Sequence, residues 1–135
     1  MRMFGLVVGL GAVMAGAVCG PALAEVPTEV SRINGAKVTF YVHPFLDETE
    51  LTTLRLVATT EQALSLFVPS KTGFAAIALS PDDGFIKAGK PAVSASAVAE
   101  LPDAAQAAAK ALEMCNAARS GAADCVIVME ISPPT

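Results

Sequence analysis

The sequence predicts an α+β fold: an antiparallel sheet of three to five strands, helices largely on one face of it, and one disulfide. Three observations carry this reading. Asn34-Gly35 sits between two strand-like arms, the strongest short signal for a hairpin. Residues 74–79 and 125–131 are short runs that are apolar at nearly every position, as strands inside a sheet are. Between them, from Pro102-Asp103 onward, runs a long alanine-rich segment with helical spacing.

The elements follow in order. Residues 25–29 form a loose lead-in containing Pro27. Val30-Ser31-Arg32-Ile33 and residues 36–42 are the hairpin arms, and both turn positions suit the positive φ of a type I′ turn. In the second arm Val38, Phe40 and Val42 alternate with Lys37, Thr39 and Tyr41, so one face is core and the other is mixed. Pro44 stops the arm because it cannot donate to a ladder. Asp47-Glu48-Thr49-Glu50 opens a helix: Asp47 caps it, Glu50 stands three residues on, and both charges suit the positive helix end. Leu51, Leu54, Val57 and Ala58 form its apolar stripe. Thr59-Thr60-Glu61 starts a second short helix with Ala63, Leu64 and Phe67 on its buried side, ending before Pro69.

Residues 70–73 are a loop and 74–79 a strand buried on both faces. Ser80-Pro81-Asp82-Asp83-Gly84 is a turn, after which residues 85–88 return as a hairpin partner. Residues 94–100 show no firm period and are read as one helical turn. Asp103 follows Pro102 at the start of the long helix, with Leu101, Ala104, Ala105, Ala108, Leu112, Cys115 and Ala118 on one face and Gly121 as its end. Residues 125–131 read as a central strand, in which Glu130 must reach solvent or a partner. Pro133 and Pro134 follow.

The first 24 residues read as a secretory signal peptide. Arg2 is the positive start, residues 4–18 are apolar and uncharged, and Ala22-Leu23-Ala24 supplies the small residues a signal peptidase needs. Residues 25–135 are then a single domain, periplasmic or secreted, with no membrane span after cleavage. The rival readings are a retained anchor, weakened by Gly5, Gly9, Gly11, Gly16, Gly20 and Pro21, and lipidation at Cys19. The chain has 9 Lys and Arg against 13 Asp and Glu, a formal net charge of −4 at pH 7, and loss of Arg2 makes the remainder more acidic. It has one Tyr, no Trp and no basic run. That is neither the electrostatic footprint nor the stacking surface of a nucleic-acid binder.

Two cysteines follow the leader, Cys115 and Cys125. An even count in an oxidising compartment favours a structural disulfide. The alternative is a redox pair, but the two are not in a Cys-x-x-Cys arrangement at a helix start.

Two pieces of the chain carry a resemblance. One is Phe74-Ala75-Ala76-Ile77-Ala78-Leu79-Ser80-Pro81 with a turn and a returning strand; the other is Ala107, Ala111-Leu112 and Cys115 followed by Cys125-Val126-Ile127-Val128. Together they resemble small bacterial secreted domains of unknown function, in which such a strand precedes an alanine-rich helix disulfide-linked to the last strand. The resemblance covers residues 74–131 and implies a fold and a disulfide, with no catalytic residues. This chain has Phe74 where such domains carry Trp or Tyr, and it lacks their further cysteines. Short secreted proteins of this kind are similar to some labelled 5-aminolevulinate synthase. That chemistry needs a lysine Schiff base to pyridoxal phosphate, a far longer chain and a cytoplasmic acyl-CoA, and these residues do not support it.

Chemistry has few places to sit. His43 is the only histidine, so every histidine mechanism must use it, and its plain reading is a strand-end residue bonded to backbone. Ser70 and Ser80 are loop serines beside strands, neither within a Gly-x-Ser-x-Gly turn. His43, Asp47, Glu48 and Glu50 are poorly spaced for zinc, and Asp82-Asp83 lacks the calcium-loop pattern. Capping and turn roles explain those acids. The sequence therefore predicts a non-enzymatic binding or accessory module with no cofactor and no metal, whose partner is an envelope protein or a small ligand. The alternative is a small periplasmic enzyme using His43 with a nearby carboxylate such as Asp47.

Overall fold

A computed structural model describes residues 26–134; the leader, the cleavage site and Cys19 lie outside the described residues. The elements are β1 (Thr28–Ile33), β2 (Ala36–Tyr41), α1 (Glu48–Thr59), α2 (Glu61–Ser65), β3 (Phe74–Leu79), β4 (Ile86–Lys87), β5 (Lys90–Pro91), β6 (Ser96–Leu101), α3 (Ala104–Ala118) and β7 (Val126–Ser132). Five strands form one antiparallel sheet in the order β1-β2-β7-β3-β6. The two runs read as interior strands, β7 and β3, occupy its middle. Among the described residues no helix is long and apolar enough to cross a membrane.

Local signals shape the first half. Asn34 and Gly35 have φ of 52° and 89°, and Ile33 faces Ala36 across them, the geometry of a type I′ turn. Asp47 Oδ1 accepts from Glu50 N at 2.8 Å, and Glu50 Oε1 accepts from Asp47 N at 3.1 Å, a complete capping box at the start of α1. Leu54, Val57 and Ala58 of α1 are buried, and Leu64 is the buried residue of α2.

Strand alternation splits the core in two. Ala75, Ile77 and Leu79 of β3 join Val38, Phe40, Met129 and the α1–α2 side chains in the larger cluster. Ala76 and Ala78 point the other way, against Ala107, Ala111 and Cys115 of α3. So α1 and α2 share one face of the sheet, while α3 covers the β3–β6 half of the other. The two fully buried β3 positions on that face are alanines, which lets the helix approach closely, and Phe74 packs at its edge. Cys115 is bonded to Cys125, with Cα atoms 6.1 Å apart, and pins the end of α3 beside the start of β7.

Four expectations need correction. Residues 94–100 are not a helical turn: β6 pairs with β3 and forms the sheet edge. Residues 85–88 do not return along β3; β4 pairs with β5 instead, and only a Ser80–Gly84 bridge closes the turn. The buried face of α3 is Ala107, Ala111 and Cys115, with Ala104, Ala105 and Ala118 exposed. An alanine-rich helix has apolar side chains on several faces, so β3 and the disulfide choose which one is covered. Finally, α3 ends with extended Arg119 at its C-cap, not at Gly121. A Cβ on Gly121 would lie 2.0 Å from Asp82 Oδ2, so this glycine permits a close approach between two loops.

Candidate functional site

The residues singled out as site candidates are held by the scaffold. Asp47 is spent on capping α1. His43 follows β2, and its Nε2 lies 2.8 Å from the carbonyl oxygen of Ile127. A carbonyl only accepts, so Nε2 carries a proton in this contact. The ring stacks on Phe45, centroids 5.5 Å apart, and tilts toward Tyr41 at 6.4 Å. His43 and Asp47 are not joined by a hydrogen bond.

The carboxylate that does find a partner here is Glu130. Tyr41 Oη donates to Glu130 Oε1 at 2.5 Å, which answers the need set by an acid inside an apolar strand. That hydrogen bond, then burial, pushes the Tyr41 phenol up to about 12, so it is a weak acid and holds its proton.

Asp82 and Asp83 serve loop closure. Asp83 accepts from Ser94 Oγ at 2.7 Å, Lys87 Nζ at 3.1 Å, Ser120 N at 3.2 Å and the Ser120 hydroxyl. Those donors, the Ser120 hydroxyl first, hold its carboxyl well below the usual range. Asp82 Oδ2 accepts from Ala123 N at 3.1 Å. The turn after β3 is thereby tied to the loop that follows α3. Among the described residues no group of three or more His, Cys, Asp or Glu is placed to hold a metal. Ser80 is buried and accepts from Asp83 N at 3.3 Å, while Ser70 bonds locally to Thr72.

The cleft lies elsewhere, at the end of the sheet where the β1–β2 turn, α2, the start of β3 and the residues after β7 converge. It has a volume of about 150 Å³ and a mostly apolar lining. Leu64, Val68, Ala75 and Ile131 form the floor, each less than a tenth exposed. The rim is polar: Lys71 Nζ bonds to Glu61, and Asn34 donates to the same carboxylate, which together hold Glu61 below its usual range. Nothing in the sequence announces this site. Its residues come from four separated segments, and each of them reads locally as core, turn or loop. The chain matches no protein-family model, no curated protein and no solved structure.

Proposed function

We propose that the protein works outside the cytoplasm, in the periplasm or released, as a disulfide-stapled binding or accessory module that holds one apolar group in this cleft. The observation that carries the reading is an apolar floor left partly open beneath a polar, ion-paired rim. Covering such a floor gains about 25 cal/mol for each Å² taken from water. Volume decides the size of the guest. Sites for drug-sized ligands run from ~300 Å³ upward, whereas a cavity of ~150 Å³ accepts a single benzene. The guest is therefore one ring or one branched side chain, not a whole cofactor. The leader-like start of the sequence and the Cys115–Cys125 bond support the address, since disulfides persist in oxidising compartments.

The apolar group comes either from a free small molecule or from a side chain of an envelope protein. Amide spectra recorded during separate titrations with benzene and with a capped Ala-Phe-Ala peptide distinguish these sources. Shifts centred on Leu64, Ser65, Val68 and Ala75 are expected. Benzene acting alone favours the free molecule; tighter binding of the peptide favours the protein. Ser65→Phe, which fills the cleft from α2, should abolish the response. No shift with either probe contradicts the proposal.

A second reading, an enzyme working through His43, is favoured by one observation: the Tyr41–Glu130 pair beside the imidazole. His43→Ala separates the two. A binding module keeps its response to the probes and changes at most in stability.

A further inference from the structure

The two edges of the sheet are built differently. On β6 the pairing steps from Phe74–Leu101 to Ala76–Val98, so Ala99 and Glu100 stand opposite the single residue Ala75. Glu100 takes a φ of 66° there, and this bulge, with α3 packed alongside, blunts the edge. β1 carries no such device. All six of its residues pair in unbroken register with β2, none is proline, and Thr28, Val30 and Arg32 are exposed.

The ladder also fixes where the peptide groups of β1 point. Ile33 faces Ala36 across a two-residue turn, and Val42 N donates to Pro27 O at 2.8 Å. Hydrogen-bonded and non-bonded pairs alternate along an antiparallel ladder. Residues 27, 29, 31 and 33 therefore turn their peptide groups toward β2. Thr28, Val30 and Arg32 turn theirs outward, and no described residue pairs with them.

We propose that this edge joins a second copy of the same chain, β1 against β1, antiparallel about a two-fold axis through Val30. An axis perpendicular to the sheet requires facing residues to lie on the same face. Centred on Val30, the outward-facing residues match throughout. Val30 meets Val30 of the partner subunit, and Thr28 meets Arg32 of the partner subunit on either side, giving about six inter-chain hydrogen bonds. Val30, 57% exposed in the single chain, gains an apolar partner, and no like charges face one another. Centring on Ser31 instead sets Val30 against Arg32 and Glu29 against Ile33, with fewer bonds. Because β6 is blunted, pairing at β1 closes at two copies and does not propagate.

Sedimentation equilibrium of the full chain, expressed with its own leader and with the disulfide intact, tests this. A concentration-dependent dimer is expected. Val30→Pro removes an outward N–H and spares every β1–β2 hydrogen bond, so it should weaken association by about tenfold or more with an unchanged circular dichroism spectrum. Val30→Lys keeps the backbone donor and sets like charges at the axis; its weakening should fade as salt rises. A wild-type monomer at every concentration, or a dimer indifferent to both changes, overturns the proposal.

Discussion

Glu50 Oε2 accepts the backbone N–H groups of Phe85 and Ile86, at 2.7 and 2.9 Å, across a sequence gap of 35 residues from Glu50 to Phe85. Its other oxygen closes the capping box with Asp47 N. One carboxylate, 5% exposed, therefore starts α1 and fastens the chain after the β3 turn onto it. Glu50→Ala leaves three backbone donors without that acceptor, that of Phe85 buried and those of Ile86 and Asp47 partly buried. It should cost about 2–4 kcal/mol of unfolding free energy, read by urea denaturation. Glu50→Gln should cost less, because one oxygen still accepts while the new amide faces a backbone donor.

The Cys115–Cys125 bond closes a short loop, with a sequence separation of 10. The chain-entropy estimate for such a loop is about 2–3 kcal/mol. The shallow alanine face of α3 buries little by itself, so this contribution is large for the helix. Replacing both cysteines by alanine should lower the melting temperature and increase amide exchange in α3 more than in β2. Cleft binding at low temperature should survive. Two titratable thiols in protein isolated without reductant would contradict the pairing.

Tyr41 is the only tyrosine, and the chain has no tryptophan, so tyrosinate absorbance reports this phenol alone. It should titrate near 12 in the folded protein and near the ordinary value of about 10 on unfolding. The unfolded chain then loses its proton first as pH rises. Stability is fully present below about pH 10 and falls between about 10 and 12. Glu130→Gln removes the charge that accepts the phenol proton, and should bring the titration back toward the ordinary value.

Asp83 works in the opposite direction. Its carboxyl is held below the usual range by Ser120, Ser94 and Lys87. Its contribution to stability is present above the ordinary aspartate value and is lost as pH falls through the lower native one. Asp83→Asn should flatten the acid limb of a stability–pH profile. It should also speed exchange of the Ser120 and Ala123 amides, since the two loops lose their main tie.

What was legible in the sequence was what neighbouring residues encode together. Asn34-Gly35 and the Asp47–Glu50 box each specify their geometry within four residues, and both form. The apolar runs of β3 and β7 foretold an interior position because no water-facing side was available to them. β6 has no local signature because Ser94 to Glu100 is mostly small residues; its strand character comes from pairing with β3 and from cover by α3. The need of Glu130 for a partner could be read, but the identity of Tyr41 could not, since it depends on the β2–β7 register. The cleft was beyond reach for the same reason, being assembled from residues of 33–36, 61–71, 73–75 and 131–134.

The cleft between α2 and the end of the sheet is the proposed binding site. Isotope-filtered nuclear Overhauser spectra of the labelled protein with benzene place the guest directly. Cross-peaks from benzene to the methyl groups of Leu64, Val68, Ala75 and Ile131, lost in Ser65→Phe, are the predicted result. Cross-peaks confined to the open face around Tyr41 and His43, or none at any benzene concentration, would contradict it.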